Sequence, residues 1–191
     1  MEEYVELVAR ISFRILCDHS DSCHVARTVF ESFTKERPEC DGLISLHQWF
    51  ISRTVRFSRK RFRYNRFMNL LGKRQKLYVQ TAPKVDDADD YVTTQAWEIY
   101  CRASESLGID QRIVYVLSEL EGMSEDEVML ATGFWRGTVR MALEIARGNM
   151  KHELGKFGKV AEYGAYIGFL RRVKDSQASC PLTLNSLYLQ A

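Results

Sequence analysis

The stretch Leu107–Leu154, LGIDQRIVYVLSELEGMSEDEVMLATGFWRGTVRMALEIARGNMKHEL, constrains the fold most, because its helix starts and stops fall at short, definite intervals. Asp110 is a good N-cap, and Ile113, Val114, Leu117 and Leu120 recur after it at helical spacing, which predicts one amphipathic helix. Glu121-Gly122 ends that helix, since glycine adopts the left-handed conformation that closes one. Ser124 and Glu127 then make an S-x-x-E capping box and open a second, short helix. Gly133 supplies a tight turn, beyond which Thr138, Val139, Leu143, Ile145 and Met150 resume the helical period. Two helices joined by a glycine turn suit a helix-turn-helix, whose later helix lies outward and enters a DNA groove. An ordinary helical bundle would use much of the same punctuation.

The order Leu107, Arg112, Leu117, Glu121-Gly122, Ser124, Glu127-Val128, Gly133, Gly137-Thr138-Val139, Ala146-Arg147 and Leu154 resembles region 4 of bacterial extracytoplasmic-function sigma factors, with no insertion or deletion. The resemblance implies that the helix from about Arg136 to Lys151 meets the upstream promoter element and that this domain docks on the flap of RNA polymerase. Its DNA-binding candidates are then Arg136, Thr138, Val139, Arg140, Arg147 and Lys151. Ala142 and Ile145 stand where the family carries basic residues, with Glu144 nearby, so a weak specific grip is expected.

With 191 residues, 46% of them hydrophobic, and three prolines, the chain suits an all-α protein of two small domains better than one large one. Charge divides it further. Residues 1–76 hold 15 Lys and Arg against 9 Asp and Glu, whereas residues 96–154 hold 6 against 10. The positive field is therefore at the front.

At the front, Val5, Val8, Ile11, Ile15 and Leu16 predict a first amphipathic helix, and Val25, Val29, Phe30 and Phe33 a second, with a break at Pro38–Gly42. From Leu43 a long helix is expected that interleaves Leu46, Trp49, Phe50, Val55, Phe57, Phe62 and Phe67 with Arg53, Arg56, Arg59, Lys60, Arg61, Arg63 and Arg66. Guanidinium groups beside aromatic rings can grip phosphates and stack on unpaired bases, which suits a melted strand. The same aromatics also suit a core, with the arginines as a solvated face.

Residues Leu7–Arg66 resemble region 2 of the same sigma family, which implies polymerase-clamp contacts at Val25, Val29 and Phe30. It also implies DNA contacts at Trp49, Arg53, Arg56, Phe57, Arg59, Lys60, Arg61 and Arg63. Cys23, His24, Arg27 and Thr28 depart from the acidic and polar residues usual there, as do Arg56 and Lys60 from asparagine and aspartate. Such changes favour sequence-independent phosphate contacts over base reading.

The division expected is therefore a region 2-like domain at 1–72, a linker at 73–95, a region 4-like domain at 96–154 and an extension at 155–191. The linker runs to the acidic DDADD at Asp86–Asp90 and reads as a solvated spacer or a nucleic-acid mimic. After it, Ala96, Trp97, Ile99, Tyr100, Ala103 and Leu107 predict the helix that opens the second domain. In the extension, Val160, Tyr163, Ile167, Phe169 and Leu170 make a conditional helix, weakened by Gly158, Gly164 and Gly168 at about 1 kcal/mol each. An apolar tail from Leu182 to Leu189 follows.

Cys17, Cys23, Cys40, Cys101 and Cys180 form an odd set without framework spacing and read as free thiols. Cys17, His19, Cys23 and His24 could be tested as zinc ligands, but their spacing matches no common finger, and no metal is expected. There is no phosphate-binding loop or dinucleotide turn, so the chain reads as a binding protein rather than an enzyme and no cofactor is implied. The amino end, MEEYVELVAR, is acidic and no run is long enough to span a bilayer, so a cytoplasmic protein is expected.

The resemblance implies an alternative sigma factor that binds core RNA polymerase, through clamp and flap, and promoter DNA. An anti-sigma factor or another DNA-targeting factor is a further partner class. The alternative is a sigma-like adaptor with reduced promoter reading. A homodimeric repressor fits less well, because no dimer-forming heptad is visible.

Overall fold

The computed structural model describes residues 2–36, 46–72, 88–156 and 166–175, and every regular element among them is helical. Helix α1 (Glu2–Leu16) buries Val5, Val8, Ile11 and Ile15 along one face, as their spacing requires. It ends at Cys17, whose left-handed φ of +52° turns the chain toward α2 (His19–Glu36). Asp18 starts α2 by accepting the Asp21 N–H at 2.8 Å, a conventional side-chain cap.

Helix α3 (Leu46–Leu70) lies against both, with Phe50, Thr54 and Ser58 recurring every four residues on its inward face beside Ile51 and Val55. Phe50 centres the aromatic packing. It stacks on Tyr4 at 4.7 Å and meets Phe30 at 5.2 Å and Phe33 at 5.1 Å. The polar residues this face buries are satisfied locally: Thr54 Oγ1 donates to the Phe50 carbonyl at 2.7 Å.

The second group begins with α4 (Ala88–Ser104), so that residues 88–95, expected in the linker, are helical. Helix α5 (Ile109–Tyr115) is capped by Gly108, not by Asp110. Gly108 is extended, and its N–H donates to the Gln111 side chain at 3.0 Å, while Asp110 sits inside the helix and turns its carboxylate outward to Arg59. A π-helical turn, Val116–Leu120, continues α5 and ends at Gly122, whose φ is +71°. Then come α6 (Glu125–Thr132) and α7 (Arg136–Lys156). Helix α8 (Tyr166–Asp175) packs on α4 through the buried Leu170 and Val173, so that part of the extension is a docked helix. Pro38–Gly42, residues 73–87, Val160, Tyr163 and the tail after residue 175 lie outside the described residues.

The two helix groups interlock around buried arginines. Arg14 donates to Glu121 Oε1 at 2.7 Å, to the Leu120 carbonyl at 3.0 Å and to the Lys174 carbonyl at 3.3 Å, and Arg10 reaches the other Glu121 oxygen at 3.2 Å. Arg112 on α5 donates to the carbonyls of Ile15 and Ser104 and lies over the Phe62 ring at 5.2 Å. Phe13 stacks on Trp97 at 4.8 Å, and Tyr100 donates its hydroxyl to the Arg14 carbonyl at 3.0 Å. Burial pushes the Arg14 guanidinium down from its usual range and Glu121 opposes that shift. Removing one member of a buried, hydrogen-bonded ion pair leaves the other uncompensated, at about 3–5 kcal/mol. Glu121→Ala is therefore expected to lower unfolding stability by about 3 kcal/mol, more than Glu119→Ala at an exposed pair, in chemical denaturation followed by circular dichroism.

Candidate nucleic-acid interface

The helix-glycine-helix stretch forms as its punctuation requires. The Ser124 hydroxyl accepts the Glu127 N–H at 3.4 Å while Glu127 Oε2 accepts the Ser124 N–H at 2.8 Å, closing the capping box. The Ser124 hydroxyl, which donates to Glu127 Oε2 at 2.7 Å, and then the Ser124 N–H hold the Glu127 carboxyl below its ordinary range. Gly133 ends α6 at φ +72°, and α7 leaves at a new angle with Val139, Ala142, Ala146, Met150 and Leu154 turned inward.

Of the candidates on α7, Val139 is core, 2% exposed, so it offers no surface to DNA in this arrangement. Thr138 and Lys151 are exposed. The arginines are exposed but engaged: Arg136 with Asp126 at 2.6 Å and Glu125 at 3.2 Å, Arg140 with Glu125 at 2.9 Å, and Arg147 with Glu119. Between them lies an apolar surface that pattern reading missed. Trp135 is 84% exposed, Met141 60% and Ile145 42%, and Leu130 on α6 is 67% exposed. The available signal was Trp135, an aromatic set directly after the Gly133 turn where it cannot reach the core.

On α3 the basic candidates separate into two faces. Arg59 turns to the second helix group, donating to Asp110 at 2.8 Å and lying over Phe134 at 5.0 Å. Arg61 turns to α2, where it meets the buried Asp21 at 2.7 Å beside Asn65. Arg53 pairs with Glu36 and covers the half-buried Trp49 ring at 5.2 Å. Arg56, Lys60, Arg63 and Arg66 are exposed and make no ion pair among the described residues. Tyr64 and Phe67 are exposed beside them.

Val25, Val29 and Phe30, expected to meet a partner, are at most 6% exposed and form the α2 side of the core. Their spacing on one helical face is what turns them inward. Above them a cavity of about 260 Å³ opens between α2 and α3, lined by His24, Thr28, Phe57, Lys60, Arg61 and Tyr64 among others. Desolvation and then the nearby Arg61 charge push the His24 ring down from its ordinary range. His24 and Thr28 stood out in the sequence as family departures, but their convergence on one cavity depends on how α2 and α3 pack.

Cys23 meets His19 at 3.5 Å whereas Cys17 faces α4, so the possible zinc set does not converge. No cluster of three or more metal-ligating side chains occurs among the described residues, and no helix there is long and apolar enough to cross a membrane.

The overall arrangement matches a co-crystal structure of the sigma factor RpoE with the anti-sigma factor NepR from Bartonella quintana. The TM-score is 0.60 at 15% identity, covering 80% of this chain and 92% of that one. The fold is that of a sigma factor. At this identity the likeness to the sigma factor speaks to the fold alone. No family model matches the sequence, and no curated protein does.

Loss of an N-cap hydroxyl costs about 1 kcal/mol, so Ser124→Ala is expected to lower stability by that amount. Because the folded Glu127 carboxyl is depressed, its contribution is fully present above the ordinary carboxylate range and is lost as pH falls through the folded value. The difference between wild type and Ser124→Ala, measured by thermal unfolding, should therefore shrink in acid.

Proposed function

We propose that this chain is an alternative sigma factor of extracytoplasmic-function type, which binds core RNA polymerase and directs it to promoters. In this reading residues 1–72 act as region 2, residues 96–154 as region 4, and residues 155–191 as an extension whose α8 rests on α4. The observation that carries it is the sigma-factor fold over four-fifths of the chain, with a basic and aromatic edge on α3 that makes no ion pair among the described residues. Arg56, Lys60, Arg63 and Arg66 grip phosphates there, while Tyr64 and Phe67 offer rings to unstacked bases. An anti-sigma factor is a partner of the same reading, supported by the NepR complex of the sigma factor that shares the fold.

A second reading, a sigma-like adaptor, is favoured by α7. Its arginines are occupied by their own carboxylates and its outward surface is apolar at Trp135, Met141 and Ile145. Exposed ion pairs are worth about 0.2–1 kcal/mol and a bidentate arginine contact to a base about 1–3 kcal/mol. DNA can therefore displace Glu125 from Arg140, yet the acid left behind repels phosphate, and upstream-element reading is attenuated rather than abolished.

Size exclusion with purified core polymerase at low salt is expected to give a complex; elution as two separate species would remove both readings. Replacing Arg56, Lys60 and Arg63 with alanine is expected to weaken DNA binding across sequences. The salt slope should flatten by about 0.7–0.9 per lost phosphate contact. The same change at Arg59 and Arg61 should mainly lower stability. Transcription from a random promoter library separates the two readings. An upstream consensus that collapses in Arg140→Ala supports a self-sufficient sigma factor, and initiation without upstream preference supports the adaptor.

A further inference from the structure

We propose that Cys17 and Cys101 form a dithiol that hydroperoxides oxidise to a disulfide, tying α1 to α4 and locking the two helix groups together. The proposal is independent of the transcriptional reading. Three features bring the thiols to one place. The left-handed turn at Cys17, where glycine would be the usual choice, aims its side chain across the junction, 3.5 Å from Ser104 Oγ. Cys101 lies one turn before Ser104 on α4, and the Ser104 hydroxyl donates to the Cys101 carbonyl at 2.8 Å. Residues three apart on a helix share a face, so Cys101 and Ser104 both turn to the side of α4 that Cys17 meets, and the Cys101 thiol is the strongest influence on the Cys17 thiol.

The junction is also built to hold a thiolate. Arg112 is buried beside it, with the carbonyls of Ile15 and Ser104 taking two of its donors and its Nε without a hydrogen-bond partner among the described residues. The neighbouring Cys101 thiol draws the Cys17 thiol down to about 7, with help from the Arg112 charge and Ser104 and against desolvation. Burial and the neighbouring Cys17 push Cys101 well up. Cys17 is thus the attacking sulfur and Cys101 the resolving one. Cys17 is half-buried at the turn between α1 and α2, while Cys101 is buried in α4.

In the first step the Cys17 thiolate attacks the distal peroxide oxygen. An S–O bond forms, the O–O bond breaks, and the leaving oxygen takes a proton to depart as water or an alcohol. Cys17 is then a sulfenic acid and no longer carries the charge that held the Cys101 proton in place. Cys101 sulfur next attacks Cys17 sulfur and displaces hydroxide, which takes the Cys101 proton and leaves as water. Two thiols have lost two electrons to one peroxide.

The test uses the full chain with Cys23, Cys40 and Cys180 replaced by serine, treated with hydrogen peroxide and mapped by non-reducing peptide mass spectrometry, alongside the wild type. The expected product is a Cys17–Cys101 cross-linked peptide in both, reversed by dithiothreitol. Hydrogen exchange at α1 and α4 should be slower in the oxidised form. Adding Cys101→Ser should instead leave a dimedone-reactive sulfenic acid on Cys17, whereas in the reduced protein that keeps Cys101 the alkylation of Cys17 should show a pH midpoint near 7. Two reduced thiols after treatment would overturn the proposal. So would over-oxidation of Cys17 without a link, or a wild-type map in which Cys17 pairs equally with Cys23, Cys40 and Cys180.

Discussion

The arrangement of the whole molecule depends on one carboxylate, Glu121, held between Arg10 and Arg14 where the π-helical turn after α5 ends. A π turn carries one more residue than a regular α-helical one, which rotates Leu120 into the core and leaves the Leu120 carbonyl and the Glu121 carboxylate facing α1. Arg14 takes both, and its third contact, the Lys174 carbonyl, brings α8 to the same point. Three separate parts of the chain thus meet at one guanidinium. Being buried, the pair is strong only because every hydrogen bond is made.

Around that point the molecule uses arginine in two ways. Arg14, Arg112, Arg59 and Arg61 are spent on internal carboxylates, carbonyls and rings, and they set how the helix groups meet. Arg56, Lys60, Arg63 and Arg66 face water along α3. The two sets differ in energy as well as position. The contacts of the buried Arg14 and Arg112 are costly to break, whereas the exposed pairs on α7 yield to any well-placed phosphate or base. A partner that rearranges the two groups would therefore act on the buried set, and a nucleic acid would act on the exposed one.

The all-helical fold and the sites of several turns were legible in the sequence because they rest on local chemistry. A capping box needs Ser124 and Glu127 three positions apart, and Gly133 can take φ +72° without strain whatever surrounds it. The inward faces of α1 and α2 follow from apolar residues at helical spacing. Local rules also failed where two of them competed. Asp110 has the better capping side chain, but Gly108 is already extended and Gln111 satisfies its N–H, which frees Asp110 for Arg59.

The candidate interface divides the same way. That α3 would be a basic, aromatic helix was evident from composition alone, since no other stretch combines so many guanidinium groups with rings. Which arginines remain available was not. Arg59, Lys60 and Arg61 are adjacent in the chain, yet helical geometry sends them about 100° apart, and only the packing of α2, α5 and the turn after α6 decides that the first and third find carboxylates or rings while the second stays in water. The meeting of Cys17 with Cys101, the cavity over Phe57 and the exposure of Trp135 are likewise products of how the helices cross. Sequence determined the helices and their charge, because those depend on neighbours along the chain. Tertiary structure decided which charges and thiols were left to act, because burial and partnership depend on residues brought together only by packing.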